Sequence, residues 1–249
     1  MKKGQVYEGV IESVEFPNKG IVNVSQEDRR VIVKNGVPGQ KVRFSVNKIR
    51  KGKAEGRILE VLEKAPNEIE SPCPHFGECG GCTYQNLPYE EQVQMKEAQI
   101  KAMMDAAVDG EYIWEGVKQS SVKTEYRNKM EFSFGDEYKD GPLALGMHKR
   151  GSFHDIVNVQ DCQIVDEDYR KILACTRDWA ESTKLPFYHR MRHTGYFRHL
   201  LVRKAVKTGE ILVDLVTSTQ RDYLGERTEE EVLAEWTKKL VGLPLDGKL

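Results

Sequence analysis

Residues 73–82 have the sequence Cys73-Pro74-His75-Phe76-Gly77-Glu78-Cys79-Gly80-Gly81-Cys82 and separate two parts of the chain that differ in pattern. Short alternating apolar runs precede this stretch, whereas longer helical patterns mixed with strands follow it. Three thiols on one short loop can converge on a single point, and the glycines allow positive φ and close approach of backbone N–H groups to sulfur. The stretch therefore predicts a metal-binding loop between a small β unit and an α+β unit.

The part before the loop predicts a small barrel. Residues 4–64 contain about five short runs of alternating apolar residues, separated by turn sequences at 17–20, 35–39 and 51–53. Five short strands cannot form a large sandwich, and closing them into a barrel removes the exposed edges. We therefore expect a small closed or nearly closed barrel over residues 1–66.

The part after the loop predicts an α+β unit, so the fold class is mainly β with α+β. We expect a cysteine-rich loop over 67–87, a helical segment over 88–117 and a central α+β unit over 118–249. Pro88 opens the first helix, and its apolar stripe is expected to be core: Val93, Ile100, Met104 and Ala107. Strands are expected at 128–134, 143–147, 153–159, 199–206 and 211–217, and a helix at about 166–182. Thr228 to Glu231 forms a capping box that opens the last helix.

Composition limits the class of protein. The chain has 249 residues, 38 Lys and Arg, 39 Asp and Glu, and a net charge of −1. No apolar run is long enough to cross a bilayer, and the N-terminus has no apolar signal core. We therefore expect a cytoplasmic, monomeric protein with no membrane partner. Thiols stay reduced in that compartment, so the five cysteines favour metal ligation over disulfides.

The near-zero net charge hides basic segments. Residues 1–66 hold 14 basic and 8 acidic side chains, and residues 182–209 hold seven basic side chains, three histidines and no acid. Residues 88–109, in contrast, hold five acids and two lysines. Such segregation favours an anion-binding face. For any single lysine, a solvated strand surface is the simpler interpretation.

A fourth ligand is needed beside the three clustered thiols, and two cysteines remain. Cys162 follows an expected strand and can reach outward, whereas Cys175 lies in the middle of an expected helix, where a free cysteine usually packs as a small hydrophobe. We therefore expect Cys73, Cys79, Cys82 and Cys162 as ligands. Only one CxxC is present, so the spacing favours a 4Fe–4S cluster, and zinc stays open. His75 is expected to be a hydrogen-bonding neighbour.

These residues resemble a known family. The cysteine motif with Gln85, the segment Tyr126-Arg127-Asn128-Lys129, the stretch from Ile156 to Asp166 and Phe197-Arg198-His199-Leu200 are similar to the iron–sulfur RNA uracil-5-methyltransferases that act on 23S ribosomal RNA. Residues 4–64 resemble the TRAM module of that family, a small OB-like RNA-binding barrel. Radical-SAM methylthiotransferases also carry TRAM barrels, but their CxxxCxxC loop is absent from this sequence.

The resemblance implies roles for individual residues. It assigns the cluster to Cys73, Cys79, Cys82 and Cys162 and makes Arg127 and Lys129 contacts to ribosomal RNA. Arg198 and the barrel side chains Lys41, Lys48 and Arg50 are further RNA-binding candidates. Phosphate contacts position RNA, whereas unpaired bases stack on aromatic side chains. Phe76, Tyr84 and Phe153 are stacking candidates, although core packing is the simpler expectation for each.

The resemblance also implies a catalytic domain for which we find no sequence pattern. In the family a Rossmann-like domain binds S-adenosylmethionine, a cysteine attacks C6 of uracil, and a carboxylate removes the C5 proton. The sequence has no strand–GxG–helix unit, no Asp-Pro-Pro motif and no spare nucleophilic cysteine. We therefore expect no catalytic residue here, S-adenosylmethionine only in the full-length enzyme, and the 88–117 helix facing the absent domain. The alternatives are a stand-alone RNA-binding module and a zinc-stapled OB protein without an RNA role.

Overall fold

The computed structural model describes residues 1–24 and 27–249, and these fall into two compact units. The first unit comprises Met1–Ser71 and Thr83–Ser120, and the second comprises Pro72–Cys82 and Ser121–Leu249. The cysteine-bearing segment 72–82 thus groups with the second unit, although the residues on both sides of it group with the first. The predicted segment 67–87 is accordingly divided between the two units, whereas the predicted segment 88–117 lies within the first unit.

The first unit contains the closed five-stranded barrel that the alternating pattern predicts. Its strands are β1 (Val6–Glu15), β2 (Lys19–Val24), β3 (Arg29–Val33), β4 (Lys41–Arg50) and β5 (Lys53–Glu63). They follow the order β1-β2-β3-β5-β4, with β4 returning to β1; β3 and β5 are parallel and the other pairs are antiparallel. Inward side chains such as Val22, Val31 and Phe44 are fully buried.

Helix α1 (Tyr89–Ala107) packs against the barrel, but only part of the expected stripe is buried. Val93 is buried, whereas Ile100 and Met104 are 38% and 39% exposed, and Ala107 is exposed too. The second buried residue is polar: the side-chain amide of Gln99 donates to the carbonyl of Val14 at 2.8 Å. The predicted core stripe is therefore confirmed at Val93 and wrong at its other three positions, because the contact with β1 includes a polar side chain that a hydrophobic pattern cannot identify.

The second unit is built on an antiparallel sheet with the strand order β10-β9-β6-β7-β8. These strands are β6 (Lys129–Asp136), β7 (Leu143–His148), β8 (Ile156–Val157), β9 (Phe197–Lys204) and β10 (Ile211–Thr217). Met130, Phe132 and Phe134 are buried on β6, as their alternation predicts. The expected strand 153–159 shortens to β8, and Phe153 is 86% exposed, so core packing was the wrong expectation for that residue.

Helices α2 (Glu167–Thr183) and α3 (Glu229–Val241) complete the core of the second unit. Trp179 of α2 packs edge-on against Phe197 and lies 5.9 Å from the ring of Trp236 of α3. The capping box predicted at the start of α3 is present, because the Thr228 hydroxyl accepts from the Glu231 N–H and the Glu231 carboxylate accepts from the Thr228 N–H. Among the described residues, no helix is both long and apolar enough to cross a membrane.

Candidate functional site

The cysteine loop 72–82 is held against strand β7 by backbone hydrogen bonds. The Gly80 N–H donates to the carbonyl of His148 at 2.9 Å, and the Arg150 N–H donates to the carbonyl of Glu78 at 2.7 Å. A β-carbon on Gly80 would lie 3.0 Å from that His148 carbonyl, so the loop approaches the strand closely at this glycine. The loop conformation is thus fixed by the sheet.

Four thiols influence one another electrostatically in this unit. Burial, followed by the Cys162, Cys79 and Cys73 thiols, raises the pKa of Cys82 to about 11. Burial is also the main cause of the raised pKa values of Cys79 and Cys162, and the charge of the Cys73 thiolate raises both pKa values further. The fold thus brings Cys162 to the loop, although 80 residues separate Cys162 from Cys82 in the sequence.

Backbone N–H groups point at two of these sulfurs. The Gly81 N–H donates to Sγ of Cys79 at 3.3 Å, and the N–H groups of Ile164 and Val165 donate to Cys162. Hydrogen bonds to sulfur favour the thiolate, which is the form that binds metals. As the side chains lie, however, the residues that the structure describes include no group of three or more His, Cys, Asp or Glu in a metal-holding arrangement.

The remaining cysteine and the loop histidine lie apart from this group. Cys175 is on α2, packs against the core, and interacts with Lys239 and Asp178. The Nε2 atom of His75 accepts the backbone N–H of Asp161 at 3.3 Å, and this hydrogen bond joins the loop to the segment that carries Cys162. This contact matches the expectation that His75 is a hydrogen-bonding neighbour.

Two arginines brace the backbone around the thiols. The Arg150 guanidinium donates to the carbonyl of Cys82 and lies 5.3 Å from the centre of the Phe76 ring. Arg170 donates to the carbonyls of Cys162 and Val165, the latter at 2.7 Å. Neither arginine stands out in the sequence, because each acts through main-chain oxygens that only the folded structure brings into reach.

The RNA candidates of the second unit lie on its surface. Arg127 is exposed and its Nε donates to the carbonyl of Lys129 at 3.2 Å. Lys129 pairs with Glu131 at 3.0 Å and lowers the pKa of that carboxyl. The Arg198 guanidinium stacks over the ring of Tyr188, 4.6 Å from its centre.

Two of the three RNA-binding candidates on the barrel already form ion pairs with acidic side chains. Lys41 pairs with Glu63 at 2.7 Å and Lys48 pairs with Glu55 at 3.2 Å, whereas Arg50 makes no ion pair within the described ranges 1–24 and 27–249. Such exposed pairs contribute at most about 1 kcal/mol and can exchange for a phosphate. The charge count of residues 1–66 includes Glu55 and Glu63, but it does not reveal that these acids face Lys48 and Lys41 across the sheet.

The three stacking candidates have different environments. Tyr84 is buried with the barrel core, and its hydroxyl donates to Oδ1 of Asn18 at 3.1 Å. Phe76 is half-buried beneath the guanidinium of Arg150. Phe153 is the exposed one, and it lines a pocket of about 310 Å³ in the second unit.

This pocket was not identified from the sequence. Part of its wall comes from the basic segment 182–209, including Tyr188, Arg190 and Arg198, and the rest comes from β6, the end of β7 and the 149–156 loop. The excess of cations and histidines in 182–209 suggested a binding surface. Three stretches distant in sequence form the concavity, so no local pattern predicts it.

Comparison with known proteins places these features in context. No family model matches the chain. A protein of Clostridium tetani is 45% identical over 98% of this chain and 53% of its own length. One of Caldanaerobacter subterraneus subsp. tengcongensis is 42% identical over 98% of this chain and 54% of its own length, and one of Clostridium acetobutylicum is 46% identical over 92% and 50%. All three are named uncharacterized RNA methyltransferases. The chain spans about half the length of these curated relatives.

A solved structure shares the fold. The tRNA (uracil-54, C5)-methyltransferase of Pyrococcus abyssi, crystallised with S-adenosyl-L-homocysteine, superposes with a TM-score of 0.60 over 87% of this chain and 48% of that protein. The two sequences are 20% identical over the match, so the likeness concerns the fold.

Proposed function

We propose that the chain is the RNA-binding, metal-bearing portion of an S-adenosylmethionine-dependent methyltransferase that acts on C5 of uracil in 23S ribosomal RNA, in the cytoplasm and as a monomer. The observation that carries this proposal is 45% identity, over 98% of the chain, to a relative named an RNA methyltransferase. The shared fold with a uracil-C5 methyltransferase supports the uracil assignment. The closed barrel at the N-terminus supports an RNA-binding role, because OB-type barrels bind oligonucleotides.

The proposal includes a 4Fe–4S cluster held by Cys73, Cys79, Cys82 and Cys162. Their mutual electrostatic influence and the N–H groups directed at sulfur support this donor set. A bound cluster would act as a structural staple, since methyl transfer requires no electron transfer. The chain's own contribution is to hold the loop on β7 and the Cys162 segment on α2.

The RNA role predicts a salt-dependent affinity that individual lysines modulate. Each phosphate contact steepens the slope of log K against log[salt] by about 0.7–0.9, because bound cations release counterions. Lys129→Ala is expected to weaken binding of a uracil-containing RNA hairpin and to reduce the slope by about that amount. The measurement is a fluorescence-anisotropy titration at several salt concentrations. Lys238→Ala, an exposed lysine on α3, is the matched control and should leave the slope unchanged. An affinity independent of salt would contradict the RNA-binding proposal.

The catalytic step is proposed to belong to residues outside this chain. Cofactor-binding domains of the Rossmann type need a parallel sheet, whereas in the residues that the structure describes only β3 and β5 pair in parallel, inside the barrel. The 249-residue chain is therefore expected to release no tritium from 5-tritiated uracil RNA in the presence of S-adenosylmethionine. Turnover above the background without protein would show that this polypeptide carries the catalytic machinery.

A further inference from the structure

The proposed function does not account for the pocket of about 310 Å³ in the second unit. It lies between the 149–156 loop on one side and the 187–191 segment on the other, with residues 133–136 of β6 and the start of β9 at its base. A volume of this size lies at the lower end of the range for small-molecule sites. A role for this pocket in binding RNA rests on the proposed function.

One wall presents an exposed aromatic ring on an anchored turn. Phe153 is 86% exposed, although burying such a ring is favourable. The turn that carries it is fixed: the Ser152 hydroxyl accepts from the N–H groups of His154 and Asp155, and the Lys149 N–H donates to the carbonyl of Asp155 at 2.9 Å. The ring is therefore held on a defined backbone and is available to a ligand.

The opposite wall is preformed as well. The Tyr188 N–H donates to the carbonyl of Phe197 and the His189 N–H to that of Thr194, both at 2.7 Å. Gly195 lets this segment turn, because its φ is +120° and a β-carbon there would lie 2.0 Å from the carbonyl oxygen of Phe187. The side chain of Gln220 accepts from the Gly195 N–H and donates to the carbonyl of His193.

The polar groups of the pocket suit a nucleotide. Three permanent cations line it, Lys139, Arg190 and Arg198, against two carboxylates, Asp136 and Asp155, and Asp136 already accepts the backbone N–H of Asp140. The lining therefore carries one cation in excess of its carboxylates, which suits a phosphate.

We infer that this pocket takes one unstacked base of single-stranded RNA, which stacks on Phe153 while Arg190 and Arg198 hold the adjoining phosphate. Proteins recognise single-stranded RNA by combining aromatic faces with cations along the backbone, and both are present here on rigid walls. A base within a duplex is covered by its neighbours on both faces, so the pocket selects unpaired nucleotides.

The test uses the complete 249-residue chain and unstructured twelve-nucleotide RNAs, each with 2-aminopurine at one position. Stacking on Phe153 is expected to quench the fluorescence of the captured 2-aminopurine. Phe153→Ala should abolish that quenching and raise Kd by roughly 5- to 150-fold, as expected for one lost base–aromatic stack. Phe153→Trp should keep both. Val206→Ala, an 82% exposed side chain outside the pocket, is the control and should change neither.

The outcomes separate this inference from the proposed function. If the chain binds RNA but Phe153→Ala leaves the affinity and the quenching unchanged, the pocket does not take a base and the RNA-binding proposal stands. Binding of a matched RNA duplex as tightly as of the single strand also overturns the pocket assignment alone. If the unaltered chain binds none of the RNAs, both are wrong. Because Phe153 is exposed, its variants should fold normally, which circular dichroism checks.

Discussion

Cys79→Ser is expected to remove the metal from the protein and to unfold the cysteine-bearing segment of the second unit. Thiolate ligation and folding are coupled in small metal sites, where binding supplies on the order of 10 kcal/mol. Cys79 occupies the centre of the loop: its N–H donates to the carbonyl of His75 at 2.8 Å, and the next N–H anchors the loop to β7. The measurements are iron, sulfide and zinc content and visible absorption of anaerobically purified protein, together with the free energy of unfolding in denaturant.

Cys175→Ser is the matched control for that experiment. Cys175 is a free thiol in the same unit, packs against the core from α2, and lies outside the group of interacting thiols. The Cys175→Ser protein should retain the full metal content, and its free energy of unfolding should fall by only about 1 kcal/mol. Full metal content in Cys79→Ser would contradict the proposed ligand set. Colourless protein with one zinc per chain would keep the four ligands and replace the iron–sulfur assignment by zinc.

The features predicted correctly from sequence are those that local patterns determine. Alternation and turn residues indicate the strands of the barrel, and the Thr228–Glu231 capping box starts α3, because both signals lie in residues a few positions apart. The stripe of α1 was predicted correctly only at Val93. Which face of that helix is buried depends on its partner, and the partner contact is made by Gln99.

The candidate site also combines residues that the sequence identifies with features that depend on tertiary contacts. The loop thiols and Cys162 could be selected from spacing and context, and the fold brings them into electrostatic reach; ligation itself stays a prediction. The basic barrel was overestimated, because the acids paired with Lys41 and Lys48 lie on a neighbouring strand. The pocket at Phe153 was missed because its walls come from strands and loops that are distant in sequence, and no local pattern brings them together.

A buried carboxylate provides the second large effect. Asp168 on α2 is 1% exposed and accepts from the Lys204 ammonium at 2.7 Å and from the N–H groups of Asp246 and Gly247 at 2.9 and 3.0 Å. It therefore joins the start of α2, the end of β9 and the C-terminal segment. Burial alone would raise the pKa of Asp168, but the ammonium and the two N–H groups lower it overall.

Asp168→Asn is expected to cost about 3 kcal/mol of unfolding free energy at pH 7, because among the described residues it leaves Lys204 paired with the Asp166 carboxylate alone. Since the native pKa of Asp168 is lowered, the unfolded chain binds the proton more readily. The stabilisation is thus complete above the ordinary aspartate pKa of about 3.9 and is lost as the pH falls below it.

Denaturant unfolding measures the free energy of unfolding of the parent protein and of Asp168→Asn at pH 7 and at about pH 3. The difference between the two free energies should be smaller at the lower pH. Asp178→Asn, whose exposed carboxylate pairs with Arg177, should differ from the parent by no more than about 0.5 kcal/mol. A difference equal at both pH values would mean that the charge of Asp168 does not stabilise the unit.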